Sequence, residues 1–379
     1  MRGHRLLCDH TFADKNNIYN ILNNSLSFFK FWKMRINWIH HYAPKISGSC
    51  SFVINLLSIY IAHDERKTHL GNYRILLIFF SIYNILNSTI DVFMPMSSLD
   101  YKYAFSYFIT DGIFEKKSLF RTIALCLRGS FIFATYPILH AHFLYRYMVL
   151  FRSTFLSSCF IPYGIICSVS YCLTIIGFTF TMAYFWMVAD TERLTYMQNI
   201  FLEEFNQNVD DLNIFIVIYH ETSPAVLWKS WSAILILTTL SVISLVINSI
   251  FSILIITKLK SENLSMSNTT KRLQKQLIKA LITQSTIPIL VCFTPCLISW
   301  YLPVFGIDIG NGIHWALSVA LSFFPVLDPL SLFFFLPIFG VRLREIFGIK
   351  RRVAIRTTDG TLHEESRKNN SLNAIKVNN

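Results

Sequence analysis

The sequence predicts an all-α membrane protein: a bundle of seven transmembrane helices with the N-terminus outside and the C-terminus cytoplasmic. Three observations carry that prediction. Of 379 residues, 53% are hydrophobic and 15% charged, 34 are phenylalanine, and the mean hydropathy is +0.45, a balance suited to lipid rather than to a soluble surface. Seven apolar stretches each approach or exceed the roughly 20 helical residues needed to cross a bilayer core of about 30 Å. Beyond residue 45, the loops after spans one, three and five plus the tail hold about 20 of the Lys and Arg, whereas the loops after spans two, four and six hold about six. Cation-rich connections stay in the cytoplasm. The net charge of +12 does not imply nucleic acid, because the basic residues separate apolar runs instead of forming a stripe. Membrane lipids are the expected surroundings.

Residues 1–42 form a polar N-terminal segment without the apolar core of a cleavable signal peptide. Asn23 opens a glycosylation sequon, Asn23-Asn24-Ser25. Lys30, Lys33, Arg35 and Lys45 crowd the entrance to the first span, a cluster that normally remains cytoplasmic. An over-extended start, with natural initiation at Met34, would remove Lys30 and Lys33 from this cluster together with the sequon. Mapping the 5′ end of the transcript tests this, and a message that encodes Met1 onwards without interruption excludes it.

The receptor-sized core is expected over 43–339. The first span, 43–62, carries Asn55 as its lone strongly polar side chain. The second, 73–95, contains Asn84, Asn87 and Asp91. At 1.5 Å per residue Asp91 lies about 27 Å from Tyr73, which predicts a helix-end carboxylate in headgroup water in preference to a ligand contact. Residues 96–119 read as a connector rich in Tyr and Phe. In the third span, 121–147, Arg128 and Arg146 are about 27 Å apart along a helix and fall near opposite membrane faces. An arginine in hydrocarbon costs about 2.5–3.5 kcal/mol on insertion scales, so Arg146, between Tyr145 and Tyr147, is expected where the helix exits into water. An interfacial anchor, with the tyrosines in the aromatic belt and the arginine snorkelling, accounts for the same residues.

The fourth span is expected at 160–185. Residues 187–229 hold seven acidic side chains against Arg193 and Lys229, which reads as an outside loop above a cavity or as a solvated connector. The fifth span, 230–257, leads into a basic loop with Lys271, Arg272 and Lys275. Leu273, Leu277 and Leu281 recur every four residues there, so the loop's end continues helically into the sixth span, 278–302. Pro288 and Pro295 each remove a backbone donor and predict kinks. The seventh span, 313–339, contains Asp328 and Pro329. A carboxylate inside a span is costly unless paired or hydrated, so Asp328 is a functional-site candidate with Asn55 and Asn84 as possible donors. Residues 340–379 read as a basic cytoplasmic tail: an amphipathic juxtamembrane stretch, then disorder.

Eight cysteines lie mostly inside apolar segments and read as small buried hydrophobes rather than as a disulfide framework. His140 and His142 are two apart and point to different helix faces. No metal-binding or nucleophile motif occurs, so neither an enzyme nor a cofactor is expected.

Four stretches in order make the chain resemble the nematode seven-transmembrane chemoreceptors of the Str class. They are Leu70-Gly71-Asn72-Tyr73-Arg74 with Asp91-Val92-Phe93-Met94-Pro95; His142-Phe143-Leu144-Tyr145-Arg146-Tyr147; Lys275-Gln276-Leu277-Ile278-Lys279-Ala280-Leu281 with Gln284 and Pro288; and Pro325-Val326-Leu327-Asp328-Pro329. The resemblance spans about residues 45–345 and implies a G-protein-coupled olfactory-type receptor for a small odorant or water-soluble chemical. A heterotrimeric G protein α subunit is the implied partner, and the plasma membrane of a sensory cilium the implied location. It also sets Tyr145-Arg146-Tyr147 in the place of the Asp-Arg-Tyr signature of rhodopsin-like receptors, and Asp328-Pro329 in that of Asn-Pro. Tyr145 stands where the acid is usual, Leu332 where a tyrosine is usual, and residues 187–229 lack the cysteine that commonly ties that loop to span three. Two other readings share the helix count. A ligand-gated odorant channel would have its N-terminus inside, against the charge bias, and a non-signalling co-receptor would keep the same topology.

Overall fold

Seven helices of the computed structural model are long and apolar enough to cross a membrane: Tyr42–His63, Tyr73–Phe93, Leu119–Leu150, Ile165–Met187, Pro224–Lys260, Gln274–Phe305 and Ser318–Phe335. The structure describes residues 42–64, 73–151, 163–260, 268–307, 311–348, 353–356 and 362–365. The sequon at Asn23 and the start at Met34 lie outside them. We label the helices α1 (Tyr42–His63), α2 (Tyr73–Phe93), α3 (Leu119–Phe151), α4 (Ile165–Met182), α5 (Thr191–Phe205), α6 (Pro224–Lys260), α7 (Asn268–Pro288), α8 (Thr294–Tyr301), α9 (Asn311–Phe335) and α10 (Pro337–Ile346). The sixth span is α7 plus α8.

Each irregularity in the spans has a local cause. Between α7 and α8 the backbone widens into a π-turn, Ile289–Phe293. Pro288 and Pro295 have no N–H to offer the preceding turn. The N–H and hydroxyl of Thr294 both turn to the Ile289 carbonyl, the hydroxyl at 2.8 Å. A second π-turn, Ala183–Met187, ends span four where the Val188 N–H reaches the Ala183 carbonyl at 3.1 Å. In α9, Pro329 cannot donate to the Pro325 carbonyl, and Asn55 Nδ2 and Ser51 Oγ of α1 donate to it instead, at 3.0 and 3.4 Å. Leu336, extended ahead of Pro337, ends the span and turns the chain into α10. Arg342 of α10 pairs with Asp64 at the end of α1 at 2.5 Å and with Glu345.

One end of the bundle carries a sheet that the sequence pattern did not disclose. Residues 96–109, expected to be a plain connector, form a hairpin of β1 (Met96–Tyr101) and β2 (Ala104–Ile109). The acidic segment contributes α5 and a third strand, β3 (Ile214–Ile218), antiparallel to β2 in the order β1-β2-β3. All five residues of β3 are buried because both of its faces are covered. Phe215 and Val217 pack toward the bundle with Leu237, Cys296 and Trp300, while Ile214, Ile216 and Ile218 pack under α5 with Leu194, Met197 and Phe201. That is the period-two alternation of a strand.

Polar bonds tie this cap down. Asn213 Nδ2 donates to the Arg121 carbonyl at 2.7 Å and to the Phe114 carbonyl at 3.2 Å. Buried Arg193 donates to the Trp186 carbonyl at 2.8 Å and to Ser230 Oγ at 3.4 Å. Among the described residues these bonds link the segment to span three and to neighbouring spans without a disulfide. In the tail, Val353–Arg356 and Leu362–Glu365 pair as a hairpin, β4 and β5, where the composition led us to expect no regular structure. Four consecutive pairings, Val353 with Glu365 through Arg356 with Leu362, satisfy the backbone there, which a compositional reading cannot foresee.

Candidate functional site

Three layers of polar groups run down the bundle from the sheet to the opposite end. The uppermost borders a cavity of about 70 Å³ beneath the sheet, with Asp91, Tyr107, Arg128, Met187, Phe215 and Trp300 in its wall. Asp91 is not the solvated helix-end carboxylate expected from its depth. It is 4% exposed and ion-paired with Arg128, Arg128 Nη2 donating to Asp91 Oδ1 at 2.5 Å. Arg128 Nη1 also reaches Asn87 Oδ1 at 3.3 Å. The reason is the cap: β1 and β2 follow α2 directly and cover the level at which a bare helix would meet headgroup water.

The middle layer joins α1, α2 and α9. Asn84 Nδ2 donates to Asp328 Oδ2 at 3.0 Å and approaches Asn55 Oδ1 at 3.4 Å. Asn55 Nδ2 also reaches Ser51 Oγ at 3.0 Å, and Ser88 Oγ donates to Ser51 Oγ at 2.6 Å. All of these side chains are buried. Asn55 thus meets Asp328 only through Asn84, and Pro329 contributes by freeing the Pro325 carbonyl that Asn55 uses.

The lowest layer is built on Arg146, which does not lie at an exit into water. It is 4% exposed, with its Cζ 3.4 Å from the centroid of the Tyr73 ring. Arg146 Nη1 reaches Gln274 Oε1 on α7 at 3.4 Å. Tyr73 is itself fixed: its hydroxyl and His142 Nδ1 share a hydrogen bond of 3.1 Å, and its ring stacks on Tyr145 at 5.8 Å. The first turn of α2 and the early part of α7 cover the arginine, and an aromatic face stands in for the missing acid. A cation over an aromatic ring is worth up to about 2 kcal/mol or more when desolvated. One guanidinium therefore joins spans two, three and six.

Tyr147, the third residue of that motif, is half-buried and meets Phe251 of α6 edge-on at 5.6 Å. Arg272 and Lys275 are exposed on α7, and Lys271 belongs to the same helix. Pro288 and Pro295 bracket the π-turn of span six. Sequence reasoning missed Tyr73, Gln274 and the Asp91–Arg128 pair. The available signal was that Arg146 has no acidic neighbour in the sequence and that Asp91 and Arg128 flank the same connection. Among the described residues no group of His, Cys, Asp and Glu would hold a metal ion.

A seven-helix membrane protein with a capped cavity at one end and a buried arginine at the other is the architecture of a serpentine receptor. The comparisons narrow it. The family profile described as "Serpentine type 7TM GPCR chemoreceptor Srj" matches residues 34–343, and the chain belongs to that family. It is 32% identical to Serpentine receptor class J-38 of Caenorhabditis elegans over 81% of this chain and 93% of the relative. It is 27% identical to the G-protein coupled receptor str-33 of the same nematode, over 78% of this chain and 87% of the relative. A Serpentine receptor class r-10 of Caenorhabditis briggsae is 20% identical over 83% of this chain and 92% of the relative. The matching family is therefore Srj, where the sequence motifs resembled Str; the str receptor is a relative at lower identity. The chain is a multi-pass membrane protein of a chemoreceptor family, and these relatives are receptors, not enzymes.

Proposed function

We propose that the chain is a G-protein-coupled olfactory-type receptor that detects a small environmental molecule and signals to a heterotrimeric Gα subunit. Its N-terminus is outside, its C-terminus is cytoplasmic, and it resides in the plasma membrane of a sensory cilium. The observation that carries this reading is the Arg146 clasp, which ties the kinked sixth span to spans two and three at the end opposite the cavity. A ligand entering under the sheet is seated against α3, α6, α8 and α9. It activates only if it binds the open arrangement better than the closed one.

When span six swings about its π-turn, Gln274 leaves Arg146 and the guanidinium comes off the Tyr73 ring. Arg146, with Tyr145 and Tyr147, then becomes available to Gα beside the cationic face of Lys271, Arg272 and Lys275. The middle layer of Asn55, Asn84, Asp328 and Pro329 is the polar hinge on which span seven adjusts. The distribution of Lys and Arg supports the orientation, because the connections at the Arg146 end are the cation-rich ones.

Replacing Arg146 with Ala tests the proposal: ligand-driven nucleotide exchange on Gα should be abolished while surface expression stays normal. Undiminished exchange in R146A would refute the role given to this residue.

A further inference from the structure

The cavity beneath the sheet also defines the kind of molecule it takes, an inference that rests on the proposed function. Its two charged wall residues, Asp91 and Arg128, are opposite in sign and paired with each other, so the wall is electrically neutral. An ionic ligand would bring an uncompensated charge against a wall that is otherwise mainly apolar, which is unfavourable. The same wall leaves polar atoms unused. Arg128 Nε and Trp300 Nε1 are donors, and Asp91 Oδ2 is an acceptor, each buried without a hydrogen-bond partner among the described residues. Arg128, Asp91 and Trp300 are each 4% exposed, and buried polar groups are normally paired. The rest of the wall is mainly apolar, including Met187, Phe215 and Leu237.

Size bounds the ligand further. A cavity of about 150 Å³ holds a benzene ring, so the ≈ 70 Å³ here corresponds by proportion to on the order of three non-hydrogen atoms, the scale of a two- or three-carbon alcohol.

We propose that this site binds short-chain neutral alcohols, the hydroxyl accepting from both Arg128 Nε and Trp300 Nε1 and donating to Asp91 Oδ2. A hydroxyl both donates and accepts, whereas a carbonyl satisfies only the donors.

The test uses the full chain in lipid nanodiscs, read as a saturable rise in thermal unfolding midpoint with four probes: 1-propanol, acetone, acetate and n-propylammonium. In the natural sequence 1-propanol should half-saturate at a concentration at least tenfold below acetate or propylammonium, with acetone between. Neutralising one partner should transfer the preference. D91N leaves a cationic wall and should favour acetate; R128Q leaves an anionic one and should favour propylammonium. If a single variant does not fold, Trp300→Phe removes one donor without altering charge and should raise half-saturation by 1-propanol about tenfold, the value of one hydrogen bond.

Equal binding of ions and alcohol by the natural sequence, no binding of any probe, or an unaltered response in Trp300→Phe would each overturn the assignment. The two levels fail separately. Propanol binding without stimulated exchange on Gα would refute the signalling function alone, and activation by a large or ionic compound would refute the ligand class alone.

Discussion

Arg146 illustrates how a charge is kept inside a membrane protein without a countercharge among the described residues. Arginine stays protonated in proteins, so the energy of burial has to be offset in place. The Tyr73 face and the Gln274 amide do this, at the level where a carboxylate would otherwise sit. Asp91 follows the opposite strategy, a direct ion pair. Removing one member of a buried pair typically costs about 3–5 kcal/mol, because the survivor is left uncompensated. D91A should therefore lower the thermal unfolding midpoint sharply, and D91A combined with R128M should recover much of the loss. A double variant no more stable than D91A would mean that the pair does not act as a unit. Neither partnership was legible in the sequence. Counting 1.5 Å per residue gives depth along a helix but not rotation about it, so Asp91 was read as facing water and Arg146 as leaving the bilayer. Asp328 was more legible, since a lone carboxylate deep in an apolar run requires a donor, and Asn84 provides it.

At the scale of elements, the spans were readable because apolar length alone specifies them. The cap was not. The strands at 96–109 are short and rich in Ser and Tyr, and β3 is an apolar pentapeptide within an acidic segment, Ile214–Ile218. Its pairing partner lies over a hundred residues upstream. Two predictions concern this cap. N213A removes the donor to the Phe114 and Arg121 carbonyls and leaves acceptors unmet at a cost of about 1–3 kcal/mol. Hydrogen exchange should accelerate in β2 and β3 and not in the lower half of α3.

The second prediction concerns Glu192 at the start of α5. Its carboxylate accepts from the Thr222 hydroxyl and from the Ser223 N–H and hydroxyl, and these bonds, the Thr222 one foremost, hold its pKa below the ordinary 4.5. The folded pKa is depressed, so the stabilisation is complete above the ordinary value and is lost as pH falls through the lower folded one. Protection factors near Thr222, corrected for the pH dependence of intrinsic exchange, should fall on acidification in the natural sequence. E192Q should exchange faster at neutral pH and respond less to acid.

For the molecule as a whole, a sixth span broken by a π-turn joins a capped cavity at one end to a clasp at the other. π-turns inside helices recur at functional sites, and a kinked span attached to a cationic helix end has the geometry of a moving part. Orientation is the first whole-molecule prediction. A tag inserted in residues 187–229 should stain on intact cells, and a tag after Asn379 only after permeabilisation. The reverse pattern would favour a channel over a G-protein-coupled receptor.

In the proposed mechanism Arg146 on Tyr73 holds the closed arrangement. Basal nucleotide exchange on Gα by purified Tyr73→Ala receptor tests it most directly, with no ligand added. Loss of a desolvated cation–π contact of about 2 kcal/mol shifts a two-state equilibrium by up to about thirtyfold toward the open form, so basal exchange should rise severalfold or more, and Tyr73→Phe, which keeps the ring, should stay near the natural level. Basal exchange in folded Tyr73→Ala receptor equal to or below that of the natural sequence would contradict the claim.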